Sequence, residues 1–216
     1  MNKLLVILLL SGSVGFTFGQ KVDPKGTFNV ELTLPGAVMN KPFKNIMQGL
    51  MNCSVYYQYS LPFHLNFGGG ARYSVFTINE FKVPSPVDGN LQIASAFLKV
   101  GWDKFHNERF ATDFGFKFGY SEGFFFTDVN KSEGTNPRRF NATNMEATLG
   151  LILTADERNS YRLVLGYGGY GYGFDPKVLG LKSDETYTSE DYAKLTQYFF
   201  VGFGYTFYFG QKSSTE

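Results

Sequence analysis

The sequence predicts an all-β fold: an eight-stranded, antiparallel, up-and-down transmembrane β-barrel with short turns on one rim and long loops on the other. Three observations carry this reading. Eight segments are rich in Val, Thr, Tyr and Phe, and Gly, Pro, Asn or Asp punctuate the gaps. The gaps alternate between short and long. The last segment, 195–209, sets Phe199, Val201, Phe203, Tyr205, Phe207 and Phe209 on one face and Tyr198, Phe200, Gly202, Gly204, Thr206 and Tyr208 on the other, because successive strand side chains point to opposite sides.

The chain of 216 residues opens with Lys3 and the apolar run 4–10, followed by small residues up to Gly19. This pattern predicts a signal peptide over 1–19, cut near Gly19, and a single barrel domain over 20–216. The run is shorter than the ~20 residues a membrane-spanning helix needs. No cysteine lies near the cleavage site, so no lipid anchor is expected there. Cys53 is the one cysteine of the chain, so an internal disulfide is impossible. Without Lys3 the 20 basic residues become 19, against 19 acidic, and no nucleic-acid partner is expected.

The strands are read at 26–34, 51–61, 65–78, 91–102, 110–122, 142–155, 161–173 and 195–209. The first carries Glu31 inward, and the second holds Cys53. The third turns Gly68, Gly70 and Arg72 to the polar face, and the fourth Lys99, with Trp102 at its end. In the fifth, Phe114, Phe116, Phe118 and Tyr120 alternate with Asp113, Gly115, Lys117 and Gly119. The sixth contributes Glu146, and the seventh Arg162, Gly166 and Gly168. Short gaps at 62–64, 103–109 and 156–160 face long ones at 35–50, 79–90, 123–141 and 174–194. Short periplasmic turns and long extracellular loops are the habit of outer-membrane barrels.

Alternation alone leaves a soluble, lipocalin-like ligand-binding barrel open as an alternative. Glycine on the polar face favours the membrane version, since a narrow lumen has room for little else. So does an apolar face too aromatic to fit inside. Aromatic residues also gather at the strand ends: Phe124 to Phe126, Tyr172 and Phe174 near the loop rim, and Trp102, Phe110, Phe207 and Phe209 near the turn rim. That distribution reads as two interfacial girdles.

Seven charges fall on the polar face: Glu31, Arg72, Lys99, Asp113, Lys117, Glu146 and Arg162. They read either as an ion path or as a salt-bridge network filling a closed lumen. The bore of eight strands favours the network, because side chains nearly fill it.

The architecture resembles the small bacterial outer-membrane β-barrel family, as in the OmpA membrane domain and OmpX-like proteins. Residues Gly204 to Phe209 resemble the assembly signal of such barrels, in which glycine precedes two alternating aromatics. Seven residues follow Phe209. The signal peptide followed by Gln20, with many Tyr, Phe and Asn residues, is similar to small barrels of Bacteroidota. The resemblance implies outer-membrane lipid and the barrel-assembly machinery as partners, and a location in the bacterial outer membrane.

Little in the chain reads as catalytic. His64 and His106 lie in or beside short turns, on the wrong rim for the lipid acyltransferase chemistry of some eight-stranded barrels. A zinc site would need further ligands, and Cys53 lies at the other end. The glycine run 168–173 lacks the lysine and following helix of a nucleotide loop. No cofactor and no metal are expected. Matches to the glycosylation pattern at Asn52, Asn130 and Asn141 are read as chance.

Loop one is the most distinctive stretch. Phe43, Ile46, Met47 and Leu50 follow helical spacing, and Pro42 suits a first helical turn. They are read as an apolar stripe that packs on the rim, lies in lipid, caps the lumen or docks a partner. Asp128, Lys131, Glu133, Arg138 and Arg139, with Asp175, Asp184, Glu185, Glu190 and Asp191, are read as solvated loop charges. The expected role is non-enzymatic: a monomer serving envelope integrity, adhesion or a larger envelope complex through its long loops. A narrow channel for small or apolar solutes is the alternative.

Overall fold

The computed structural model describes residues 24–83, 87–107, 109–135, 137–179 and 187–209. The segment 1–19, read as a signal peptide, and the residues after Phe209 lie outside them. The strands are β1 (Gly26–Met39), β2 (Met47–Ser60), β3 (Leu65–Ile78), β4 (Gly89–Phe105), β5 (Phe110–Thr127), β6 (Arg138–Thr154), β7 (Asn159–Gly173) and β8 (Leu195–Phe209). Each pairs with the next, and β1 pairs antiparallel with β8 from Gly26–Phe209 to Met39–Gln197. The sheet therefore closes on itself and has no free edge to protect. Among the described residues, three short α-helices top the loop rim: α1 (Lys41–Ile46), α2 (Asp128–Ser132) and α3 (Ser189–Ala193).

Six of the eight strands run further than alternation predicted. Loop one contracts from 35–50 to residues 40–46, because β1 continues through Pro35 to Met39. The ladder from β1 to β2 ends at Thr33–Asn52. Pro35 thus lies where β1 has one hydrogen-bonded neighbour, the position in a sheet that tolerates a missing N–H. β5 likewise extends to Thr127 and takes in Phe124 to Phe126.

The turn rim is tight. Asn107 Oδ1 accepts from the Arg109 and Phe110 N–H groups at 2.9 and 2.7 Å. Asp156 does the same for the Arg158 N–H at 2.8 Å and for the Asn159 amide at 2.9 Å. The Asn159 amide and the Arg158 N–H hold its carboxyl below the usual carboxylate range. Asx side chains of this kind satisfy turn backbone locally.

The two faces differ sharply. Leu32, Leu34, Phe114, Tyr120 and Phe203 are all more than half exposed. On β1, Thr27, Asn29, Glu31 and Thr33 are buried in the lumen. A soluble ligand-binding barrel has the opposite arrangement, so the lipocalin-like alternative fails. The exterior is suited to hydrocarbon, and the closed ladder satisfies the backbone that crosses it.

Candidate functional site

The lumen divides into three layers. At mid-height, Glu31, Lys117, Arg162, Asp113 and Lys99 meet. Lys117 Nζ is 2.8 Å from Glu31 Oε2, and Arg162 Nε is 3.6 Å from Glu31 Oε1. Arg162 also pairs with Asp113, which takes Lys99 Nζ at 2.7 Å. Neutral side chains knit these ions together. Tyr56 donates its hydroxyl to Glu31 at 2.6 Å and lies under both Lys99 and Lys117, with Nζ to ring-centre distances of 5.0 and 4.8 Å. Asn29 accepts from Arg162 at 2.8 Å, and Gln58 from Lys99 at 2.9 Å. Charges removed from water are tolerable only when paired and hydrogen-bonded in this way.

Toward the loops, Arg72 pairs with Glu146, which also accepts from the Tyr198 hydroxyl. The Arg72 guanidinium carbon is 5.5 Å from the Tyr170 ring centre and 5.9 Å from that of Tyr198. All seven charges expected on the inner face thus lie in the lumen, each within an ion pair.

Glycine makes the room. A Cβ on Gly204 would stand 2.7 Å from Arg162 Cγ and 2.9 Å from the Val30 carbonyl oxygen. One on Gly168 would stand 2.6 Å from Glu146 Cγ. In both cases the crowded atom belongs to a side chain that holds an ion pair.

Above the ions an apolar layer closes the bore. Phe43 stands edge-on to Phe76 and Phe174, with ring centres 5.1 and 5.3 Å apart. Ile46, Met47, Leu91, Phe125 and Phe200 pack in the same cluster. Of the uses open to the loop-one stripe, Phe43, Ile46 and Met47 take the capping of the lumen, and the inclusion of Leu50 is corrected. α1 ends at Ile46, Met47 begins β2, and Phe43, Ile46 and Met47 are all buried. Leu50 lies on β2 and is half exposed. The four share no surface, because the bulge between Gly49 and Met51 and the start of β2 break the helical phase. The loop-rim girdle is corrected as well: Phe125 and Phe174 point into this layer. Asp191, read as a solvated charge, is buried; it caps α3 and lies 3.3 Å from Lys41.

Sequence reasoning missed Asp103, assigned there to a turn. β4 runs on to Phe105, so Asp103 follows Lys99 and Gly101 on the inner face and accepts from Gln58 at 3.2 Å. Four acidic side chains then share the inner face with four cations, Asp103 through a hydrogen bond rather than an ion pair. Continuing the period of two past Trp102 would have found it. Tyr56, Tyr170 and Tyr198 were likewise legible as inward residues, but not as ion partners. His64 stands edge-on to Trp102, and His106 stacks on Phe110, both at the turn rim. Cys53 lies on β2 between the inward Asn52 and Ser54 and faces outward.

No family model matches the chain, and no curated protein does. Among solved structures it is similar to Neisserial surface protein A, with 9% identity and a TM-score of 0.56 over 86% of this chain and 97% of that one. The chain has the fold of the small outer-membrane β-barrels. It also aligns with Ail of Yersinia pestis in complex with sucrose octasulfate (12% identity, 86% and 99% covered, TM-score 0.47). The outer membrane protein OprG of Pseudomonas aeruginosa aligns at 13% identity, with 86% and 97% covered and a TM-score of 0.45. The barrel's location follows from its surface: an even-numbered antiparallel barrel with an apolar exterior and a polar interior is an outer-membrane structure. Trp102, Phe110 and Phe209 remain on the outside at the turn rim, where an interfacial girdle belongs.

Proposed function

We propose that this barrel is a non-enzymatic, closed wall element of the outer membrane, serving envelope integrity rather than solute passage. One observation carries the reading: the layer of paired charges and the apolar layer over it fill the bore in series. An ion entering from the turn rim meets side chains already neutralised by one another, and beyond them it meets hydrocarbon. Phe43, Ile46 and Met47, which would have favoured a docking role, close the lumen instead. The surface-interaction role therefore passes to the exposed parts of the loops, and the C-terminal strand is assigned as the signal read by the assembly machinery.

The test is genetic. Deleting the chain from its source bacterium should sensitise cells to detergents and bulky antibiotics. Restoration by a variant whose exposed loop tips are shortened, with α1 retained, supports a structural role. Restoration only by the chain with intact loops would move the function to surface interaction.

A further inference from the structure

The ladder at the β1–β2 seam stops short of the loop rim. Its last pair is Thr33–Asn52, although β1 continues to Met39 and β2 starts at Met47. Above that pair β1 is laddered to β8 and β2 to β3, but not to each other. Each strand also carries a register shift there, between Ala37 and Met39 and between Gly49 and Met51. Pro35 has no N–H to give to a ladder. Gly49 approaches so closely that a Cβ on it would overlap the Pro35 carbonyl.

A cleft of about 330 Å³ lies over this seam, lined among others by Pro35, Ala37, Lys44, Met47, Gln48 and Lys82. Lys44, Gln48 and Lys82 are exposed, so the cleft reaches the surface. Among the described residues, no acidic side chain lines it. The ion pairs among the described residues involve neither lysine. The outward neighbours flanking the seam are apolar and exposed: Leu34 and Met39 on β1, Leu50 and Met51 on β2. The cleft thus stands where the lipid-facing belt gives way to cationic side chains, the level of lipid headgroups on the loop side.

We propose that this cleft binds the phosphate-bearing headgroup of an outer-leaflet glycolipid. Lys44 and Lys82 act as point charges on the phosphate. An acyl chain lies along Leu34 and Met51, continuous with the belt. Two cations in a cleft whose described lining holds no carboxylate fit an anion, and the exposed apolar residues that flank the seam fit a lipid rather than a free ion. The inference rests on the membrane-spanning reading and is independent of whether the lumen is closed.

Native mass spectrometry of the mature chain folded in detergent, titrated with bisphosphorylated lipid A, tests it. Lys44→Gln and Lys82→Gln should each weaken binding roughly fivefold, and together about 30-fold, from the usual contribution of a lysine beside an anionic surface. Lys131→Gln with Lys177→Gln, which removes two charges elsewhere on the rim, should change it little. Dephosphorylated lipid A should bind the parent about as poorly as lipid A binds the double variant, a comparison that needs no variant to fold. Undiminished binding by the double variant would overturn the proposal. So would equal loss in the control, or displacement of lipid A by millimolar inorganic phosphate.

Discussion

Lys117 and Glu31 stand on opposite walls of the barrel, on β5 and β1, four strands apart in either direction, and their side chains meet at 2.8 Å. This single pair crosses the bore. Because Arg162 and Tyr56 also contact Glu31, the crossing ties four strands together.

Lys117→Ala should therefore destabilise the barrel by about 3–5 kcal/mol, the usual result of leaving one buried charge unpaired. Glu31→Gln combined with Lys117→Met should recover most of that loss. Arg162 keeps Asp113 as its partner in the double variant. Urea unfolding in detergent, followed by the fluorescence of Trp102, measures both.

Phe116, the neighbour of Lys117 on β5, should answer to different physics. It is exposed on the outside, so Phe116→Arg meets lipid and should cost about 2–4 kcal/mol near the bilayer midplane. Lys117→Gln leaves that contact intact. Folding yield into lipid vesicles should fall mainly for Phe116→Arg, and detergent stability mainly for Lys117→Ala.

Phe43→Ala should remove a fully buried ring wedged between Phe76 and Phe174, at a cost of about 3–5 kcal/mol. The loss should be local. Hydrogen exchange should rise in α1 and the loop-side ends of β1 and β2, while Asn29 and Glu31 on the same strand stay protected.

Asn40 holds α1 over the bore. Its backbone is left-handed, with φ of 65°. Its side chain accepts from the Phe43 N–H at 3.0 Å and donates to the Lys194 carbonyl at 2.8 Å. Asn40→Ala loses both bonds and strains the backbone, a cost of about 1–2 kcal/mol for the cap alone. Asn40→Gly should relieve the strain but not restore the tie to the loop before β8. Limited proteolysis of that loop should accelerate in both variants, more in Asn40→Ala.

The fold and the inward charges were legible because both follow a period of two. Glu31, Asp113 and Lys117 show their face by their neighbours: Phe114, Phe116 and Phe118 leave no other side for them. What alternation could not show is where a strand stops. Pro35 reads as a breaker, yet β1 carries it because its ladder to β2 has already ended. Asp103 reads as a turn residue for the same reason. The apolar layer was hidden differently. Phe43 and Ile46 come from a helix, Phe125 and Phe200 from strands, and no local pattern announces that the four converge. The uses of the loop-one stripe stayed open on that point: helical spacing shows that a face is apolar, not what covers it.

Single-channel recording in planar bilayers tests the closed lumen most directly. With purified parent protein inserted, the paired charges and the apolar layer of Phe43, Phe76 and Phe174 predict no stepwise conductance at either polarity. Arg72→Ala, which leaves Glu146 without its cation, combined with Phe43→Ala, should then admit brief openings. Steady, reproducible conductance steps in the parent would contradict the account and make this barrel a channel.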